Sequence, residues 1–152
     1  MTPGLIRAAI VIEKAAWIND LVAAIRNLPL ADYEEFIADA RTPAAAESYL
    51  RRALESLLDM GRHLLAKGFA IAAPEYKQIA EMLVQQGILS PDDGKILRQM
   101  AGYRNRMVHF YDEISGKELY EICTQGVSDI IRVSGAILAW LREHPDKVDT
   151  AI

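Results

Sequence analysis

Residues 98–114, RQMAGYRNRMVHFYDEI, place Arg104, Asn105, Arg106, His109 and Tyr111 within eight positions of one another. An imidazole with an ordinary pKa of about 6.5 can exchange a proton near neutrality, which suits His109 to acid–base work. A guanidinium donates paired hydrogen bonds to phosphate oxygens and stabilises the charge of a five-coordinate transition state, the role open to Arg104. If the substrate is RNA, its own 2′-hydroxyl can be the nucleophile, leaving a cyclic phosphate without a metal. Asn105 can orient His109 or the scissile group, Arg106 adds an electrostatic contact, and Tyr111 can bond phosphate or stack on a base.

Spacing restricts this reading. On an ideal helix Asn105 and His109 lie about 40° apart around the axis, whereas Arg104 and His109 lie about 140° apart. A straight helix would not aim both at one phosphate. Convergence needs the helix to end near His109, a reaching arginine, or a second chain that supplies one member. Asp112-Glu113 and the serine at 115 favour an end after about Val108.

Plainer readings stand beside the chemical one. Lys95, Arg98, Arg104 and Arg106 can be a solvated helix face. His109 can cap helix-terminal carbonyls, and Tyr111 can pack at an interface. His63 reads as a partly buried residue beside a leucine seam and His144 as a helix-end residue. Three histidines so dispersed form no metal motif. Glu55, Asp59 and His63 lie on a helix whose polar groups either complete a cleft or simply pair with each other.

The elements that must position these side chains read as helices. A first helix is expected over Leu5–Leu28, ended by Pro29, with two apolar stripes that call for more than one packing partner. Asp32 and Glu35 cap a short helix through Ile37. Thr42-Pro43 opens a helix over Ala44–Ala66, stopped by Lys67-Gly68, in which Gly61 is tolerable if another helix passes close by. A shorter helix covers 75–86, with Tyr76, Ile79, Ala80 and Leu83 inward. Ser90-Pro91-Asp92-Asp93 starts the helix that carries the motif, and Ser115 to Glu118 caps the last one. Leu119, Cys123, Gly126, Ile130, Val133, Ile137 and Leu141 form its seam. No comparable run alternates with period two, so strands are not expected. The fold class is all-α, an up-and-down bundle of four main helices plus a short one, in a single domain over 1–152. Two apolar surfaces this large exceed what one small bundle buries easily, which points to a homodimer.

Composition sets the outer limits. The chain has 152 residues, 51% of them apolar and 25% charged, enough for one globular core. A net charge of −4 argues against nonspecific coating of nucleic acid but allows a local basic site. A lone cysteine, Cys123, excludes an internal disulfide and reads as a small core residue. The N-terminus lacks a signal-peptide pattern and no segment approaches 18 consecutive apolar residues, so a cytoplasmic protein without a membrane span is expected.

The order Arg104-Asn105, His109-Phe110-Tyr111 resembles the HEPN superfamily, and more narrowly its HepT-like branch, whose signature is Arg, four residues, His, one residue, Tyr. Arg52-Ala-Leu-Glu55 through Asp59-Met-Gly-Arg62-His63 resembles that family's second long helix, and Pro74–Tyr76 with Leu83–Ser90 its middle segment. The likeness runs from roughly residue 5 to 141. It implies a helical homodimer whose arginine and histidine motifs line an interfacial cleft. It further implies a metal-independent ribonuclease toxin of a type II toxin–antitoxin pair, acting on tRNA or mRNA without a cofactor. The implied partner is a minimal nucleotidyltransferase antitoxin, which would move AMP from ATP to the motif tyrosine, here Tyr111. The alternative is a noncatalytic subunit of a nucleotidyltransferase that binds nucleotide or protein in the same cleft. The segment Leu28–Thr42 departs from the family by its length.

Overall fold

The computed structural model describes residues 4–109 and 114–150. Helices dominate: α1 (Ala8–Arg26), α2 (Tyr33–Ile37), α3 (Arg41–Phe69), α4 (Tyr76–Gln85), α5 (Pro91–Val108), α6 (Gly116–Glu121) and α7 (Val127–Glu143). A π-turn at Ile122–Gly126 joins α6 to α7 in one rod. Among the described residues α1, α3, α5 and this rod are the long elements of an all-α fold, and α2 and α4 are short.

α3 is the central pillar because its apolar positions recur around most of its surface. Leu50, Leu54, Leu57, Leu58, Leu64 and Leu65 are fully or almost fully buried. Each such side chain contributes about 1.5–3 kcal/mol relative to exposure. α1 packs along α3, and α4 and α5 pack on another side of it and on each other. Gly61 is where α4 comes closest: a Cβ there would stand 2.9 Å from both Ile79 Cγ2 and Leu83 Cδ1. The expected close helix is therefore α4.

Several starts follow from local caps. Asp32 accepts the Glu35 N–H at 2.7 Å, Ser90 the Asp93 N–H at 3.1 Å, and Ser115 the Glu118 N–H at 3.1 Å. Each bond satisfies one of the donors that a helix N-terminus leaves unpaired.

Several boundaries differ from expectation. α3 opens at Arg41 instead of after Thr42-Pro43, because the Asp39 carboxylate accepts both the Arg41 N–H at 2.9 Å and its guanidinium at 2.6 Å. Pro43 still lies in the first turn, where its missing N–H costs nothing. α3 also runs through Lys67-Gly68 to Phe69 and ends on Ala70 in the left-handed region, φ 54°. Gly68 serves packing there, since a Cβ would lie 2.8 Å from Ile6 Cδ1. α1 starts only at Ala8, because Ile6–Arg7 form a short strand, β1. It pairs in parallel with Val148–Asp149, β2, so the expectation of no strands fails by one two-residue ladder. Alternation is not needed at that length; burial of Ile6 suffices.

The two large apolar surfaces part company. The last seam is covered within one chain: Leu119, Cys123, Ile130, Val133, Ile137 and Leu141 are buried. α1 is covered on one face only, and Ile12 and Trp17 remain 61% and 46% exposed. The α6–α7 rod, Gly116–Glu143, has the length and apolarity to cross a membrane. Its buried seam faces α1, α3 and α5, which marks it as a core helix of the bundle.

Candidate functional site

α5 carries the motif, and burial sets its rotation. Leu97, Met100 and Ala101 are buried, which turns Arg104 toward α3 and α4. Arg104 Nε lies 3.6 Å from Glu55 Oε1, and the same carboxylate oxygen accepts from Arg51 Nη1 at 3.1 Å. The Arg104 guanidinium carbon lies 4.6 Å from the centroid of the Tyr76 ring. Asn105 accepts from Arg104 Nη1 at 3.4 Å.

His109 is the residue at which α5 stops. Its backbone is extended, φ −108° and ψ 116°, so the helix ends at Val108 as the sequence suggested. Arg104, Asn105 and His109 line a single groove of about 540 Å³, completed by Arg62, Tyr76 and Lys77. Arg104 and His109 thus line one groove within one chain, with the helix ending at the histidine.

Arg106 goes elsewhere. It pairs with Glu118 of α6, Nη2 to Oε1 at 2.8 Å, on the far side of α5 from the groove. Tyr111, the residue expected to bind phosphate or carry a modification, lies outside the described residues.

The residues that motif reading did not place in the site come from α3 and the start of α4. Tyr76 donates its hydroxyl to Asp59 Oδ1 at 3.0 Å, and burial followed by the Asp59 charge pushes its phenol pKa up. It is therefore a neutral donor at physiological pH. Arg62 pairs with Asp59 at 3.4 Å, donates to the Ala73 carbonyl at 3.1 Å, and lies 4.8 Å from the Tyr76 ring centroid. The available signals were Arg62 three residues after Asp59, a helix-neighbour spacing, and an aromatic at the start of α4. Glu55 and Asp59 thus stand behind the groove, one against Arg104 and the other against Tyr76. His63 does not join them. Its Nε2 accepts the Arg7 N–H at 3.1 Å and helps hold β1. His144 is the helix-end residue expected, stacked 4.2 Å from Trp140 with Nδ1 2.8 Å from the Trp140 carbonyl oxygen.

Arg62, Lys77 and Arg104 line the groove beside Glu75, and Asp59 and Glu55 stand against the two arginines from behind. The guanidinium and ammonium donors on this wall suit an anion such as a phosphodiester. Among the described residues no His, Cys, Asp or Glu cluster could hold a metal ion. Burial pushes the Cys123 thiol up to about 12, which leaves it unreactive.

Residues 18–137 match the protein family described as ribonuclease HepT-like. No curated protein matches the chain in sequence. Among solved structures it is similar to a tri-AMPylated HEPN toxin from Shewanella oneidensis in complex with an MNT antitoxin. That match has a TM-score of 0.78 and 22% identity, over 86% of this chain and 97% of that one. A toxin–antitoxin complex with AMP-PNP matches with a TM-score of 0.77 and 21% identity, over 86% and 98% of the two chains. YutE from Bacillus subtilis, a cytosolic protein of unknown function, matches with a TM-score of 0.75 and 17% identity, over 91% and 93%. These likenesses show the shared fold.

Proposed function

Because the chain belongs to the HepT-like ribonuclease family, we propose that it is a metal-independent endoribonuclease acting on tRNA or mRNA. The observation that carries this reading is the groove lined jointly by Arg104, Asn105 and His109. His109 takes the proton of the RNA 2′-hydroxyl as that oxygen attacks the neighbouring phosphorus. The bond from phosphorus to the 5′-oxygen breaks, and the departing oxygen takes a proton from water. Arg104 offsets the extra negative charge on the five-coordinate phosphorus. Asn105 holds the ring or the phosphate. The products are a 2′,3′-cyclic phosphate and a 5′-hydroxyl.

The working form is a homodimer, supported by the apolar residues of α1 that the single chain leaves open, Ile12 and Trp17. Its regulator is a minimal nucleotidyltransferase antitoxin, in line with the antitoxin complexes among the structural neighbours. That enzyme transfers AMP from ATP to Tyr111: the phenol oxygen bonds to the α-phosphorus and pyrophosphate leaves. The added phosphate charge, two residues from His109 in the sequence, would repel RNA.

The deciding experiment is cleavage of tRNA and mRNA pools in EDTA by the wild type and His109→Ala. The expected result is a cyclic-phosphate product from the wild type and none from the variant. Undiminished cutting by His109→Ala overturns the assignment. No cutting by the wild type, with stable binding of a nucleotidyltransferase, supports a noncatalytic subunit instead.

A further inference from the structure

Arg104 is held by contacts of unequal quality. Its Nε is buried and makes no hydrogen bond among the described residues. Glu55 Oε1 stands 3.6 Å away, an ion pair too long to fix the plane of a guanidinium. Asn105 Oδ1, at 3.4 Å from Nη1, is long as well. Its contact with the flat Tyr76 ring is much closer to ideal, since the guanidinium carbon lies 4.6 Å from the centroid. A cation over an aromatic face within about 6 Å is attracted by the ring quadrupole, and a planar guanidinium also stacks on it.

The ring is itself fixed. Tyr76 is the first residue of α4, and its hydroxyl bonds to Asp59 on α3. Arg62 lies over the same ring and ties the preceding loop down through the Ala73 and Pro74 carbonyls, at 3.1 and 3.4 Å. The chain of contacts therefore runs from the rigid central helix, through one aromatic ring, to the motif arginine.

We propose that Tyr76 is a positioning residue for Arg104, its ring setting the plane in which the guanidinium meets a phosphate and Asp59 setting the ring. The proposal rests on the ribonuclease reading above. The ring is the operative part, and the hydroxyl matters only through Asp59. Arg104 stabilises charge that develops during the reaction, so a misoriented guanidinium lowers kcat more than it raises KM.

The test compares steady-state cleavage by wild type, Tyr76→Phe and Tyr76→Leu, with arginine side-chain NMR of the same proteins. Tyr76→Phe keeps the ring but loses its tie to Asp59, so its kcat falls less than that of Tyr76→Leu. Tyr76→Leu loses about 10²-fold in kcat at little-changed KM, the scale on which slight misplacement of a catalytic group acts. Combined with Arg104→Lys it falls no further than Arg104→Lys alone, because both changes remove one interaction. The Arg104 Nε–H resonance, assigned from its loss in Arg104→Lys, is shifted upfield by the ring in wild type and Tyr76→Phe but not in Tyr76→Leu.

An unchanged kcat in Tyr76→Leu, or a loss confined to KM, overturns the proposal. If Tyr76→Leu does not fold, the wild-type and Tyr76→Phe spectra decide, and no upfield shift in either overturns it. If the wild type cuts no RNA, the ribonuclease reading falls, while the spectra still test whether Tyr76 orients Arg104.

Discussion

The two sides of α5 are chemically different. On one, Arg104, Asn105 and His109 join Arg62 and Lys77 in a groove of basic and amide donors. On the other, a groove of about 330 Å³ has Glu118, Glu121 and Asp129 on its rim and Leu54, Met100 and Ile130 within it. Arg104 and Arg106 are only two residues apart yet serve different sides, one held by α3 and α4 and the other by Glu118 of α6. A helix turns about 200° over two residues, so Arg104 and Arg106 face apart while both stay in α5. His109 leaves the helix and Arg106 does not. A run of basic residues is thus divided by geometry between the two sides of α5.

The largest expected effect breaks that comparison directly. Arg104→Ala should lower cleavage about 10²–10³-fold, as loss of a preorganised charge donor does, whereas Arg106→Ala should leave it near the wild-type value. Rates measured on one RNA under identical salt are the check. Equal losses from both substitutions would mean that the two arginines act on the same phosphate and that the two sides are not distinct.

A smaller effect concerns the framework behind the Arg104 side. Gly61→Ala places a methyl against Ile79 and Leu83 of α4. Overpacking of this kind costs about 1–3 kcal/mol, read as a lower denaturation midpoint. Because Tyr76 opens α4, cleavage should fall along with stability. On the acidic side, Glu118→Gln removes the charge from a half-exposed pair with Arg106. That pair is worth about 0.2–1 kcal/mol, and its loss should leave cleavage unchanged.

What was legible in the sequence was local. Caps at Asp32, Ser90 and Ser115 depend on residues three apart, and the end of α5 depends on what immediately follows the motif. α3 starts ahead of Thr42-Pro43, at Arg41, because Asp39 offers both a backbone and a side-chain partner to Arg41. α3 continues through Lys67-Gly68 where Gly68 answers to Ile6, a residue distant in sequence. The same division holds in the site. Arg104, Asn105 and His109 stand out by type and spacing. Tyr76 becomes a partner of Arg104 only once α3, α4 and α5 are packed, and no window of sequence contains that packing.

The smallest effect separates acid lability of the fold from the ionisation of the groove. His63 holds β1 as a neutral acceptor from the Arg7 N–H, away from both grooves. Burial first, then Lys67, Lys14 and Arg7, push its pKa below the ordinary value. The unfolded chain therefore binds this proton more readily than the folded one. Its contribution to stability is intact above about pH 6.5 and declines as pH falls through the lowered folded value. His63→Gln keeps a neutral acceptor at that position and removes the titration, so its stability should fall less between pH 7.5 and pH 5.5 in denaturant melts. Cleavage measured in that background reports the groove with less interference from unfolding. A pH profile of cleavage that is the same in wild type and His63→Gln assigns its acid limb to the groove. A profile that flattens in His63→Gln would instead trace the acid limb to the β1 tie, and the contrast between the two sides of α5 would then owe nothing to proton transfer.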